Sequence, residues 1–188
     1  TCLPLQFPAE VNDEARMVRY FQRWKPDAMP GTQRQYSNPS IGLLGHITGV
    51  ALQGSFADAA ETQLLPQLGL ANTYIRVPQR AMADYAWGYD TKNKPVRVSP
   101  GVFDAEAYGV KSTAADMIRF VQLQLDPSGL EDPMRRAVAG THQGHFAVRG
   151  MVQGLGWEQY PYPISLAALL EGNSDAVIFE SNPAMRVT

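Results

Sequence analysis

A single cysteine, Cys2, is all the thiol chemistry in 188 residues, which excludes an internal disulfide and leaves the redox compartment open. No apolar run reaches the roughly 18 residues that suggest a membrane span. No charged segment followed by an apolar stretch opens the chain as a secretory signal would. Charge of either sign is sparse: 16 Lys and Arg stand against 18 Asp and Glu, for a formal net charge of −2. There is no basic stripe of the kind a nucleic-acid surface needs, so nucleic acid is excluded as an expected partner. No internal repeat, low-complexity tract or interdomain linker is visible. The chain begins at Thr1 without an initiator Met, which fits a processed chain, an internal piece or an engineered product.

What is present is a chain that is 45% hydrophobic, enough to bury one sizeable core. The spacing of Met17, Val18, Phe21 and Trp24 predicts a helix over Asn12 to Trp24, with Asn12 and Asp13 available to cap it. From Pro39 to about Leu52, the residues Ile41, Leu43, Leu44, Ile47 and Val50 are apolar around most of the cylinder. That predicts a core helix buried on more than one side. Ser55 with Asp58 predicts a capped helix fading near Pro66 and stopping at Gly69, followed by an extended piece over Tyr74 to Val77. Residues 79 to 109 are dense in Gly, Pro and aromatics with little periodicity, which predicts an ordered loop lining a cleft. Thr113 with Asp116 predicts a helix to about Leu125, and a short helix is expected over Pro133 to Ala139. "HFAVRGMVQGLGWEQY" has the content of short strands and turns, and "SLAALLEG" predicts one or two helical turns ending at Gly172.

Within "QRQYSNPSIGLLGH" a phenol, Tyr36, and a carboxamide, Asn38, stand two residues apart where a helix starts. One reading is structural: Asn38 caps a helix whose first residue is Pro39, and Tyr36 is an ordinary half-buried aromatic. The other is functional: in an extended segment the two side chains share one side, so Tyr36 could exchange protons while Asn38 grips a substrate amide. A tyrosine has a pKa of about 10 and needs neighbouring cations to act as a base near neutrality. His46 lies within an apolar helix and reads as a core residue, while His142 and His145 are spaced too loosely to predict a metal site.

Taken with its neighbours, "PGTQRQYSNPSIGLLGH" resembles the second active-site element of class C serine β-lactamases, the cephalosporinases. "LPLQFP", "LLPQLGL", "YAWGY", "KPVRVSPGVFDAEAYGVKST" and "QGLGWEQYPYP" are each similar to that family in the same order, so the resemblance covers nearly the whole chain. It implies an α+β fold, predominantly helical. The chain would form the helical-domain region of the serine β-lactamase and penicillin-binding-protein fold, with most of the antiparallel sheet missing. Residues 1 to 188 would form a single region of a two-domain enzyme, with an Ω-like loop over about 79 to 109.

The resemblance further implies roles for particular residues. Tyr36 matches the catalytic tyrosine, which takes part in proton transfer with the nucleophilic serine and the leaving group. Asn38 matches the residue that binds the amide carbonyl of the drug side chain and contacts the catalytic lysine. Gln6 matches a second contact to that amide, and Tyr108 matches a loop aromatic lining the substrate cleft. The segment "LLEGNSDAVIFESNP" sits where the family has the loop bordering the other end of the cleft. The implied partners are β-lactam antibiotics, penicillins and cephalosporins, with no cofactor, no metal and no membrane insertion. The implied compartment is the periplasm. One departure is the start, since "TCLPLQFP" carries Thr and Cys where the family commonly has a small Gly-rich tripeptide before the Leu.

The largest departure is an absence. Serine β-lactamases need a nucleophile in an SxxK motif and a KTG triad on a sheet strand, and neither occurs among these 188 residues. In the family the nucleophile precedes the Gln6 segment and the KTG strand follows the position of Thr188. The expectation is therefore a central region that relies on missing N- and C-terminal portions and is inactive alone. Its apolar helices, Ile41 to Val50 included, would carry faces meant partly for an absent sheet. Two alternatives belong to other classes: an esterase or D-Ala-D-Ala peptidase of the same fold, and a non-catalytic fragment acting as a binding or assembly module. The Gln6 and Asn38 pair with the Ω-like loop favours the β-lactamase, whereas the missing motifs favour the module.

Overall fold

The structure, a computed structural model, describes residues 3 to 98 and 101 to 187; Cys2 lies outside the described residues. In chain order the elements are α1 (Glu14–Arg23), β1 (Gln33–Arg34), α2 (Asn38–Ala51), α3 (Phe56–Ala59), α4 (Leu65–Gln67), β2 (Gly88–Tyr89), β3 (Pro95–Val96), α5 (Asp104–Ala107), α6 (Ala114–Leu125), α7 (Asp132–Thr141), β4 (Phe146–Val148), β5 (Met151–Gln153), β6 (Glu158–Gln159), α8 (Leu166–Glu171), α9 (Asp175–Phe179), β7 (Asn182–Pro183) and β8 (Met185–Arg186). The fold is α+β and predominantly helical, as expected. Two compact units are formed, one by residues 1–40 with 122–188 and the other by residues 41–121.

The first unit holds an antiparallel sheet in the order β6-β5-β4-β8. Its centre is a hairpin in register Phe146↔Gln153 to Val148↔Met151. The tight turn places Arg149 at φ 50, and its Nε donates to Asn182 Oδ1 at 2.5 Å. Val148, Met151 and Val177 form one buried cluster of this unit, with Phe146, Tyr160 and Ala184 packed against it. Asn182, 1% exposed, spends both amide hydrogens on the carbonyls of Ala176 and Glu180. Helix α1 begins where Asp13 accepts the N–H of Arg16. Its Tyr20 and Phe21 meet Phe7 edge-to-face, with centroids 5.4 and 5.8 Å apart. Such pairs add to the area they bury, so the Phe7 segment is stapled to α1.

The second unit contains the remainder of α2. The prediction that this helix is buried on more than one side is corrected. Ile41, Leu44, Ile47 and Val50 are 47%, 62%, 55% and 65% exposed. The buried face is the one the glycines make: Gly42, Gly45 and Gly49 lie at helical spacing and are buried. Each is a close approach, since a Cβ on Gly42 would strike Phe103, one on Gly45 would meet Glu106 Cβ at 2.7 Å, and one on Gly49 would meet Gly54 O at 2.8 Å. Apolarity all around a helix therefore hid which face packs. The apolar ridge stays open, as expected for a face that this chain alone does not cover.

Ser55 Oγ accepts the N–H of Asp58 and opens α3 as predicted. The stretch continues through one π turn, Ala60–Leu64, into α4, and Gly69 at φ 66 ends it. Ala57, Ala60 and Ile75 make the core here. The extended piece at Tyr74 to Val77 is reduced to a bridge between Tyr74 and Lys111. Helix α6 is capped by Thr113, whose Oγ1 accepts the N–H of Asp116. Asp116 is 6% exposed yet satisfied, accepting from Asn72 N–H and Thr73 Oγ1. The described part of residues 79 to 109 holds the small β2–β3 hairpin, where Arg97 lies 4.1 and 3.8 Å from the ring centroids of Tyr85 and Trp87.

Candidate active site

The start of α2 decides how Tyr36 and Asn38 are presented. The expectation that Asn38 caps this helix is corrected: the cap is Ser37, buried, whose Oγ accepts the N–H of Ser40 at 3.2 Å. Asn38 is the first helical residue and Pro39 the second. Its backbone is held from another direction, because its N–H donates to the carbonyl of Leu5 at 3.1 Å. The carboxamide is left with no hydrogen bond among the described residues, and so is the Tyr36 phenol, which is 44% exposed.

The Leu5 bond also places Gln6. Leu5 is tied to the first turn of α2 and Phe7 sits in the aromatic staple, so the residue between them is fixed by both neighbours while its own side chain is exposed. The structure thus brings the Gln6 segment to the Tyr36–Asn38 turn. Tyr108 belongs to the second unit. It ends α5, its N–H donating to Asp104 O at 3.0 Å, and it is 39% exposed. Phe103, in the left-handed region at φ 65, plants this segment on Gly42 of α2, with the His46 ring 5.5 Å away. Burial raises the pKa of Glu106 and the Asp104 carboxylate adds to this, while a hydrogen bond from its own backbone N–H and, less, His46 work the other way.

Among the described residues, no group of three or more His, Cys, Asp or Glu could hold a metal ion, and no helix is long and apolar enough to cross a membrane. His142 is engaged by Gln124 Oε1 at 3.0 Å and by the Trp157 ring. Sequence reasoning missed Ser37 and Leu5. The Ser37-x-x-Ser40 spacing is the usual geometry of a cap, but nothing local signals that Leu5 will accept from Asn38.

The sequence pattern of the β-lactamase family matches residues 3–178. The chain belongs to the β-lactamase family. It is 53% identical to a β-lactamase of Pseudomonas fluorescens over 178 residues, covering 95% of this chain and 50% of that protein. With a β-lactamase of Lysobacter lactamgenus the identity is 46% over 185 residues, covering 98% and 48%. The fold matches a class C β-lactamase from Rhodobacter sphaeroides with a TM-score of 0.93 at 47% identity, over 98% of this chain and 52% of that one. It also matches a β-lactamase/D-alanine carboxypeptidase from Pseudomonas syringae with a TM-score of 0.95 at 44% identity, over 98% and 52%. A class C β-lactamase solved with cefoxitin matches with a TM-score of 0.93 at 40% identity, over 98% and 51%. The chain spans about half the length of the curated relatives it matches. The class C resemblance and its predominantly helical fold are borne out.

Proposed function

We propose that the full-length protein carrying this chain hydrolyses β-lactam antibiotics, penicillins and cephalosporins, through a serine acyl-enzyme. The nucleophilic serine, its lysine and the KTG strand lie outside these 188 residues, which alone are inactive. The single observation that supports this most is the Ser37 cap. It takes over the helix start, so among the described residues the Asn38 carboxamide, like the Tyr36 phenol, makes no hydrogen bond, and the Gln6 segment is anchored beside them.

In this reading the serine Oγ attacks the ring carbonyl and its proton passes by way of Tyr36 to the ring nitrogen as the C–N bond breaks. Water then cleaves the resulting ester. Asn38 and Gln6 hold the side-chain amide of the drug, and Tyr108 with the Ω-like loop over residues 79 to 109 lines the cleft. The rest of the protein covers the exposed Ile41, Leu44, Ile47 and Val50 ridge. The periplasm is the compartment this reading implies. The test is turnover of a chromogenic cephalosporin by the full-length protein. Tyr36→Phe lowers kcat by about 10²-fold or more, the usual worth of a positioned proton-transfer group, with little change in stability. Equal rates for mutant and parent would remove Tyr36 from the mechanism.

A second reading, a D-Ala-D-Ala peptidase or esterase of the same fold, is favoured by the likeness to the Pseudomonas syringae β-lactamase/D-alanine carboxypeptidase. Faster turnover of a peptide ending in D-Ala-D-Ala than of the cephalosporin selects it. A non-catalytic module is the third reading, and cephalosporin turnover by the full-length protein eliminates it.

A further inference from the structure

The strand that leads into Tyr36 is too short to hold itself. β1 and β7 pair over two residues only, Gln33↔Pro183 and Arg34↔Asn182, and an isolated two-stranded ribbon is marginal in water. The Arg34 side chain supplies what the ladder lacks. Its Nε donates to Gln153 Oε1 at 3.0 Å, its Nη1 to the Val177 carbonyl at 3.3 Å, and its Nη2 to Glu158 Oε1 at 2.5 Å. These acceptors stand on β5, α9 and β6, so one guanidinium ties the strand to three elements of its unit.

The frame is itself fixed. The Gln153 amide nitrogen donates to the carbonyls of Gly154 and Trp157 at 3.1 and 3.0 Å, so its oxygen faces Arg34 by default. The Arg34 side chain is 15% exposed and its bonds to Gln153 and the Val177 carbonyl are partly buried, while the Glu158 carboxylate, 37% exposed, meets it at the rim. A planar fork of donors in fixed directions suits three divergent acceptors, and a lysine ammonium cannot reproduce it.

We propose that Arg34 is a positioning residue for the reaction: it fixes the backbone two residues ahead of Tyr36 and so sets where the phenol stands. The inference rests on the hydrolytic reading above. It acts through placement, to which proton transfer is steeply sensitive, since a displacement of about 1 Å can cost about 10²-fold in rate.

The test compares the full-length parent with Arg34→Met and Arg34→Lys, reading kcat, KM, the pH profile of kcat and Tm. The expected result is a kcat loss of roughly 10²-fold in Arg34→Met and roughly tenfold in Arg34→Lys. KM stays within about threefold, and the pH limb that Tyr36→Phe abolishes is weakened. Partial rescue by lysine at matched Tm separates placement from folding. Parent-like kcat and pH profile in Arg34→Lys overturn the inference, as does a kcat loss that only tracks Tm. No turnover by the parent sinks the hydrolytic reading instead. The inference is then read from the ultraviolet titration of the Tyr36 phenol, taken by difference against Tyr36→Phe. A titration changed in Arg34→Met supports it, and an unchanged one overturns it.

Discussion

The backbone N–H of Asn38 donates to the carbonyl of Leu5 at 3.1 Å, tying the first turn of α2 to the segment that carries Gln6. Two stretches far apart in sequence are thereby anchored at one place. Residues that share a support do not act independently. Gln6→Ala and Asn38→Ala are therefore expected to be non-additive in kcat/KM for a β-lactam with a side-chain amide, with a coupling of about 0.5–3 kcal/mol. A double-mutant cycle checks this, and strictly additive losses would mean the two amides serve separate sites.

Ser37 performs the capping that leaves Asn38 free. Ser37→Ala removes the acceptor for the Ser40 N–H, and the loss of such a cap costs about 1 kcal/mol. Chemical denaturation of parent and mutant measures it. Asn38→Ala, which removes a side chain with no hydrogen bond among the described residues, is expected to cost less stability than Ser37→Ala, and the reverse order would restore Asn38 as the cap.

Gly42 is needed for contact rather than for backbone freedom. A methyl group there drives into the Phe103 side chain, and overpacking of that kind costs about 1–3 kcal/mol. Gly42→Ala is expected to lose that much in denaturant unfolding. In a Phe103→Gly background, which removes the obstructing Cβ together with the ring, the same change is expected to cost little or to stabilise the helix. An equal loss in both backgrounds would assign the effect to something other than Phe103.

Low pH should weaken the turn after Ala60. The Arg76 guanidinium bridges Glu61 and Asp58, and Glu61 also accepts the N–H groups of Ile75 and Arg76. Burial alone would raise the Glu61 pKa, but the donors from Arg76 and Ile75 together outweigh it and hold the carboxyl low. Asp58 is held low by its hydrogen bond with Ser55 and by Arg76. A folded pKa below the unfolded one means the unfolded chain binds protons more readily. The stabilisation is therefore full above the ordinary carboxylate range of about 4 and fades as pH falls through the depressed values. The Arg76 side chain is 59% exposed, so water screens the pair, and Glu61→Gln is expected to cost about 1 kcal/mol at pH 7. Urea unfolding of parent and mutant should show the gap narrowing as pH falls below the ordinary carboxylate range, and a gap independent of pH would contradict the ionic origin.

What the sequence made legible is what local chemistry decides. Asp13, Ser55 and Thr113 each announce a helix start through a side-chain oxygen placed a few residues ahead of an orphan N–H, and each makes that bond. Short strands and turns around β4 and β5 were likewise readable from β-branched, aromatic and Gly content, though not their pairing as a hairpin. The packed face of α2 was not, because a helix apolar nearly all round reveals its buried side only through its partner, here a phenylalanine sixty-one positions beyond Gly42 fitting a glycine groove. β1 and β7 pair across most of the chain over two residues, too short for any periodicity. Nothing local marks Arg34, because its three acceptors are distant in sequence. Tyr36, Asn38, Gln6 and Tyr108 came from family resemblance, since a phenol or an amide alone carries no signature.

The measurement that bears most directly on the account is where a penicillin attaches. Incubating the full-length protein and the isolated 188-residue chain with a labelled penicillin, then mapping the adduct by mass, reads the nucleophile itself. The account predicts one acyl group on the full-length protein, on a serine outside this chain, and none on the chain alone. An adduct on any serine within residues 1 to 188 would contradict it.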